Sequence, residues 1–254
     1  MTTMMVDESA VRLDAVSKIF GNGLNGTQAL ASVDLSVREG EFVCFLGRSG
    51  CGKSTLLSII AGLDVPTEGR VDVGGRRVAM MFQDANLFPW LTVAENIKLA
   101  LRLSGIPKDD WDRRTGELLN IVRLRGLEKM RPHELSGGMR QRVALARSLA
   151  QECDVLLMDE PFAALDAITR DALHNELERI WLERSLTILF VTHNVREAVR
   201  LGDRVVLMHP APGRISREME VELSRPRRMD DAEVAVRAAV LHAELDDQII
   251  GGEN

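Results

Sequence analysis

The chain has 254 residues, enough for one large domain or a domain carrying an inserted subdomain, and its 45% apolar and 28% charged content is that of an ordinary globular protein. No uninterrupted apolar run reaches the roughly 18 residues of a spanning helix, and Met1 to Ala10 lacks the basic start and apolar middle of a signal peptide, so a cytoplasmic protein is expected. A net charge of −6 argues against nucleic acid as the main partner, and Cys44, Cys51 and Cys153 form neither a Cys-x-x-Cys pair nor an even set for disulfides.

Val11 to Phe20 and Ala31 to Val37 alternate loosely, which predicts antiparallel strands leading into the apolar run Phe42 to Leu46. Between them, Gly21-Asn22-Gly23-Leu24-Asn25-Gly26 matches Gly-x-Gly-x-x-Gly. Strand character rather than a helix follows it, so it reads as a loop and not as a dinucleotide site. The run Gly47-Arg48-Ser49-Gly50-Cys51-Gly52-Lys53-Ser54-Thr55 fits Gly-x-x-x-x-Gly-Lys-Ser/Thr, directly after the strand and before helically spaced Leu56, Leu57, Ile59 and Ile60. A phosphate chain needs N–H donors converging from a concave backbone. Gly47, Gly50 and Gly52 remove side chains that would block its approach, and the following helix presents its positive end. Lys53 supplies a point charge for the terminal phosphates, and the Ser54 hydroxyl a hard oxygen ligand for Mg²⁺. Cys51 reads as a small residue that fits the loop, with a helix-start thiolate as the sharper alternative.

Val71 to Met80 alternates around Gly74-Gly75 and predicts a hairpin ending in a buried strand, Val78 to Phe82, with Met80-Met81 in the core. Gln83 follows at the strand end, where an amide can ligate a metal or orient a water. Asn86-Leu87-Phe88-Pro89-Trp90-Leu91 is an apolar, aromatic connection: a docking site if exposed, core if buried. From Trp90 to about Ala150 the pattern is mainly helical, with Thr92 and Glu95 spaced as a capping box. Leu135-Ser136-Gly137-Gly138-Met139-Arg140-Gln141-Arg142 opens a long helix there, a second place where a hydroxyl and glycines precede a helix start and suit an anion.

Val155-Leu156-Leu157-Met158-Asp159-Glu160 is an apolar strand ending in two acids, which alternation would send in opposite directions: Asp159 toward a metal, Glu160 toward an attacking water. Asp171 to Glu183 has the look of an amphipathic helix, and Thr187 to Thr192 is another buried strand, with His193 at its end. Arg204 to Met208 is a further strand. The segment ending in Arg225-Pro226-Arg227-Arg228 reads as a solvated tail, and Val236, Val240, Leu245 and Ile249 predict the apolar stripe of a last helix.

These motifs resemble the ATP-binding subunits of ABC transporters, over nearly the whole chain from Val11 to about Arg228; Leu135 to Arg142 separates that family from other phosphate-loop ATPases. The resemblance implies an α/β fold: a phosphate-loop (RecA-like) ATPase core with an antiparallel β subdomain and an inserted helical subdomain. One ABC ATPase domain would span 11–228, with core 11–89 and 151–228 and helical subdomain about 90–150, before a C-terminal helical tail at 229–254. Within it, Phe20 matches the aromatic that stacks on adenine, Gly47 to Thr55 the Walker A loop, Gln83 the Q-loop glutamine and Asp159 the Walker B aspartate. Glu160 matches the catalytic glutamate, Asp166 the D-loop aspartate of dimer communication and His193 the switch histidine. Glu160, His193 and Gln83 would be catalytic, and Ser54, Gln83 and Asp159 would hold Mg²⁺. Asn194 stands where the family commonly has aspartate, and Phe162-Ala163 where serine is frequent.

The family works as a head-to-tail dimer in which ATP lies between the Walker A loop of one subunit and Ser136, Gly137 and Gly138 of the other. Phe82 to Asn96, Val191 to Val199 and Pro212-Gly213-Arg214-Ile215 resemble more narrowly the importer ATPases of the nitrate, sulfonate and taurine group. That implies a homodimer on the cytoplasmic face of a bacterial membrane, with ATP and Mg²⁺, an integral-membrane permease and a periplasmic or lipid-anchored solute-binding protein, and no nucleic acid. Leu87 to Leu91 would border the groove for the permease's coupling helix. The alternatives are a soluble ABC ATPase with a non-transport partner and a non-hydrolysing ATP clamp; intact Glu160 and His193 count against the clamp.

Overall fold

The computed structural model describes residues 9–21, 26–163 and 165–250, so positions 22–25 of the glycine loop lie outside it. In chain order the elements are β1 (Ser9–Phe20), β2 (Thr27–Arg38), β3 (Phe42–Leu46), α1 (Lys53–Ile60), β4 (Glu68–Asp72), β5 (Val78–Met81), α2 (Val93–Leu103), α3 (Trp111–Ile121) and α4 (Gly137–Leu149). There follow β6 (Val155–Asp159), α5 (Ala167–Arg184), β7 (Thr187–Val191), α6 (Val195–Leu201), β8 (Arg204–His209), β9 (Arg214–Glu220) and α7 (Ala232–Ile250).

The strands form a three-stranded antiparallel sheet, β2-β1-β4, and a six-stranded sheet, β5-β6-β7-β3-β8-β9, parallel except for its last pair. The central strands of the larger sheet are buried at every residue, as a sheet covered on both faces requires. Successive side chains therefore feed opposite cores. Phe42, Cys44, Leu46, Leu156, Met158, Ile188 and Phe190 pack on the helical side, while Val43, Phe45, Val155, Leu157, Leu189 and Val191 pack with α1 and the antiparallel sheet. The helices α2, α3 and α4 occupy the stretch between β5 and β6, and Thr92 and Glu95 complete the predicted capping box on α2.

Away from the cleft, the structure departs from sequence expectation at three segments. Val71 to Met80 is no hairpin: β4 pairs with β1 in the small sheet, whereas β5 pairs in parallel with β6 in the large one. Gly74 and Gly75, with φ of 58° and 70°, turn the chain from one sheet to the other, and Arg77 and Asp154 then exchange bonds that set β5 beside β6.

The second correction concerns Arg225 and Arg227, which do not belong to a solvated tail, although Arg228 beside them is exposed. Arg227 is only 4% exposed. Its guanidinium donates to the carbonyls of Val199 (2.8 Å) and Gly202 (2.6 Å) at the end of α6, and to those of Val221 and Leu223. Carbonyls at a helix C-terminus lack partners within the helix, and the guanidinium fork carries enough donors to satisfy several. Burial pulls the pKa of Arg227 down to about 10. Arg225 pairs with Glu178 (2.6 Å) and Asp203 (2.8 Å) across the face of Trp181. The third correction concerns part of the stripe on α7. Val234, Ala238 and Leu241 face the core with Leu245 half-buried against it, whereas Val236 and Val240 are exposed, because the docking of α7 against α6 and not its own composition selects the face; the side chain of Ile249 lies outside the described residues.

Candidate active site

The parallel strands β3, β5, β6 and β7 end at one edge of the large sheet, and the loops leaving them enclose a cleft of about 470 Å³. Gly47, Ser49, Gly50, Gly52, Lys53, Ser54, Thr55, Gln83, Glu160 and His193 line it, together with Ala29 from β2.

Two of the loop glycines answer to the protein's own packing rather than to a ligand's approach. A Cβ on Gly47 would stand 2.6 Å from Cys51 Sγ and from the Met208 carbonyl; one on Gly52 would stand 2.5 Å from Leu30 Cδ2. Gly50 has open space around it, and its φ of 82° is what requires glycine. Gly52 (φ 87°) begins α1 without a side-chain cap, and the first turn carries no acid, so its N–H groups and positive end are available to an anion. The Lys53 ammonium donates to the carbonyls of Gly47 (2.7 Å) and Arg48 (3.0 Å) and lies 3.4 Å from Cys51 Sγ, which fixes its charge over the loop. Cys51 is fully buried, a filler beneath the loop.

Asp159 is buried at the end of β6; burial pushes its carboxyl above the ordinary range, and the neighbouring Ser54 hydroxyl opposes that shift. The Ser54 hydroxyl and the Asp159 carboxylate are adjoining hard oxygens beside the phosphate loop, a donor set that suits Mg²⁺. Glu160 is not aimed by strand alternation. It lies past the strand end in a left-handed conformation (φ 44°), pinned by its N–H to the Val191 carbonyl at 3.0 Å. Such a backbone costs about 1–3 kcal/mol for a side-chain-bearing residue. It brings Glu160 Oε2 within 3.1 Å of His193 Nδ1.

Other predicted residues lie elsewhere. Phe20, at the end of β1, is half-exposed with the Lys18 ammonium 4.9 Å from its ring centroid, and it does not line the cleft. Asp166 caps α5 by accepting from the Thr169 N–H at 2.9 Å, which holds its carboxyl below the usual range. Ser136 caps α4, accepting from the Met139 N–H at 3.2 Å; Ser136 and Gly137 are exposed, and neither they nor Gly138 line the cleft.

The structure also brings in residues that sequence reasoning gave no role. Gln141, on α4, donates to the backbone carbonyl of Gln83 and ties the helical layer to the cleft. Asn96 is wholly buried: it accepts from the Phe88 N–H at 2.9 Å and donates to the carbonyls of Phe88, Leu91 and Thr92. A polar residue interrupting the stripe Val93, Ile97, Ala100 was its one signal. Arg147 holds the carbonyls of Ala85 and Asn86. The connection 86–91 so fixed is largely exposed, although Leu87 packs on the edge of the core. Trp90 is 66% exposed, and Phe88 edges a groove of about 830 Å³ with Leu63, Met80, Phe82 and Leu103.

Residues 30–163 match the sequence profile described as ABC transporter. An uncharacterised ABC transporter ATP-binding protein of Methanocaldococcus jannaschii is 47% identical over 224 residues, covering 85% of this chain and 84% of that protein. The aliphatic sulfonates import ATP-binding protein of Bacillus subtilis is 44% identical over 91% of this chain and 93% of its own length. The taurine import ATP-binding protein of Roseobacter denitrificans is 42% identical over 86% of this chain and 82% of its own. Among solved structures, a dimeric ATP-binding cassette in a post-hydrolysis state, bound to ADP and Pi, superposes with a TM-score of 0.78 at 34% identity, covering 84% of this chain and all of that one.

Proposed function

The chain belongs to the ABC transporter family, and from that premise we propose that it is the ATP-hydrolysing, energy-coupling subunit of an importer for a small anion, of the sulfonate, taurine or nitrate kind. The observation that carries this reading is the single cleft joining Lys53, Ser54, Gln83, Glu160 and His193, with Asp159 beneath it. Lys53 and the start of α1 bind the triphosphate and offset its charge. Mg²⁺, held by Ser54 and Asp159 with Gln83 beside them, supplies further neutralisation when bound. Glu160 takes the proton of the attacking water, and His193 holds Glu160 and meets the terminal phosphate. Phe20 offers a π face to adenine at the rim.

Ser136 to Gly138 serve the nucleotide of a second copy, with Asp166 at the same interface; the exposure of Ser136 and Gly137, and the position of all three away from the chain's own cleft, support that reading, as do the dimeric solved relatives. The unit is 11–228 with its helical insertion at about 90–150, and 229–254 is an appended tail. Among the described residues no helix is long and apolar enough to cross a membrane, so the anion's path lies in a partner permease. The groove beside Phe88 and Trp90 receives that permease's helix at the cytoplasmic face, and a solute-binding protein supplies the anion from the other side.

The test is ATP-dependent assembly. Glu160→Gln keeps the shape of the site but removes the base. It is expected to cut turnover by about 10²–10⁴-fold and to accumulate a dimer on ATP addition, seen by light scattering. Rapid turnover by this variant would remove Glu160 from the reaction.

A further inference from the structure

Between α5 and α6 lies a buried polar cluster that the proposed chemistry does not use. His174, on α5, is fully buried, and its Nε2 stands 2.6 Å from Oε1 of Glu197, itself 5% exposed in the first turn of α6. A carboxylate only accepts, so the ring carries its proton on Nε2. The other nitrogen, Nδ1, has no hydrogen-bond partner among the described residues, Asp171 Oδ1 being 3.9 Å away. The second oxygen of Glu197 accepts the Thr192 hydroxyl. Thr192 in turn accepts the Asn194 N–H at 3.0 Å, and Asn194 accepts the Glu197 N–H at 3.2 Å.

Both neighbours of His193 are therefore bonded into this cluster, while His193 itself is exposed and, among the described residues, bonds to Glu160. A buried polar pair of this kind is poor value for stability compared with apolar packing, so its presence behind an exposed, functional side chain calls for another reason. The ring edge of His174 also faces Phe162, in the segment that follows Glu160, at 5.3 Å between centroids.

We infer that His174 and Glu197 are positioning residues that hold His193 against Glu160, tying the helix capped by Asp166 to the hydrolytic centre. This rests on the reading that His193 and Glu160 act in turnover. The Glu197 carboxylate holds the Thr192 hydroxyl, which in turn accepts the Asn194 N–H across His193, and His174 fixes Glu197 from the helix whose first residue follows Asp166. A shift of α5 at a dimer contact is thereby felt at His193 through two hydrogen bonds.

The experiment is steady-state ATPase and ATP binding on the full chain. His174→Leu, which removes the donor, should lower kcat by about tenfold or more with ATP affinity unchanged, and His174→Gln, which restores an N–H donor, should recover most of it. In a His193→Ala background, His174→Leu should produce no further loss, since both act through one group. If His174→Leu does not fold, Thr192→Val cuts the same carboxylate from the other side and should show the same loss of kcat. Unchanged kcat in either folded variant, failure of His174→Gln to restore activity, or a full additional loss in the His193→Ala background would overturn the inference. Wild-type turnover by His193→Ala would instead sink the reading on which it rests, whereas an inactive His193→Ala beside a fully active His174→Leu would sink the inference alone.

Discussion

The chain has two places where glycines and a hydroxyl precede a helix: Gly47 to Thr55 before α1, and Ser136 to Gly138 before α4. The first is packed from below, with Gly47 against Cys51 and Met208 and Gly52 against Leu30, and it faces a cleft supplied with a lysine and two carboxylates. The second is exposed. Its hydroxyl is occupied in capping its own helix, and a Cβ on Gly137 would meet only the tip of Arg140 at 3.8 Å. Equal local chemistry has thus been given unequal surroundings: one loop is demanded by its own fold, while the other is left free to meet a second molecule.

Substitutions along this pair should separate the two cases. Lys53→Ala should have the largest effect, weakening nucleotide binding by about 2–3 kcal/mol because a charge-assisted contact is lost, as titration calorimetry would read; retained affinity would put the phosphate elsewhere. Gly52→Ala should destabilise the isolated chain by more than about 2 kcal/mol, since φ of 87° and a Cβ 2.5 Å from Leu30 both oppose it. Denaturant unfolding reads that directly, and an unchanged midpoint would mean the loop tolerates a side chain. Ser136→Ala should cost about 1 kcal/mol through the lost cap and should also reduce ATP-driven dimerisation. Gly137→Ala should alter stability by no more than about 0.5 kcal/mol yet still reduce dimerisation. If dimerisation and turnover survive Gly137→Ala intact, the second loop does not meet a nucleotide and the asymmetry has another cause.

The strand, glycine loop and helix from Phe42 to Ile60 were legible because that shape is local: spacing, strand and helix all lie within about twenty residues, so order in sequence is order in space. The acids after β6 were legible by position but not by mechanism, since strand alternation does not aim Glu160; a left-handed backbone bonded to Val191 does. Arg225 and Arg227 were misread for the same reason in stronger form. Their partners lie in α5, α6 and the turns beside β8, and a charge run carries no mark of the carbonyls and carboxylates that will surround it. His174 and Asn96 left only a polar break in an apolar stripe, which a sequence cannot tell from a surface position.

By itself the sequence determined the buried strands, the helices between β5 and β6, the capping of α2 and the glycine loop between β3 and α1, because each depends on periodicity or on contacts between near neighbours. Only the tertiary structure decided which sheet receives β4 and β5, which face of α7 is covered, where the C-terminal arginines are buried and what stands behind His193. Those outcomes depend on unsatisfied carbonyls, carboxylates and apolar surfaces brought together from distant parts of the chain, and no local pattern encodes which of them will meet.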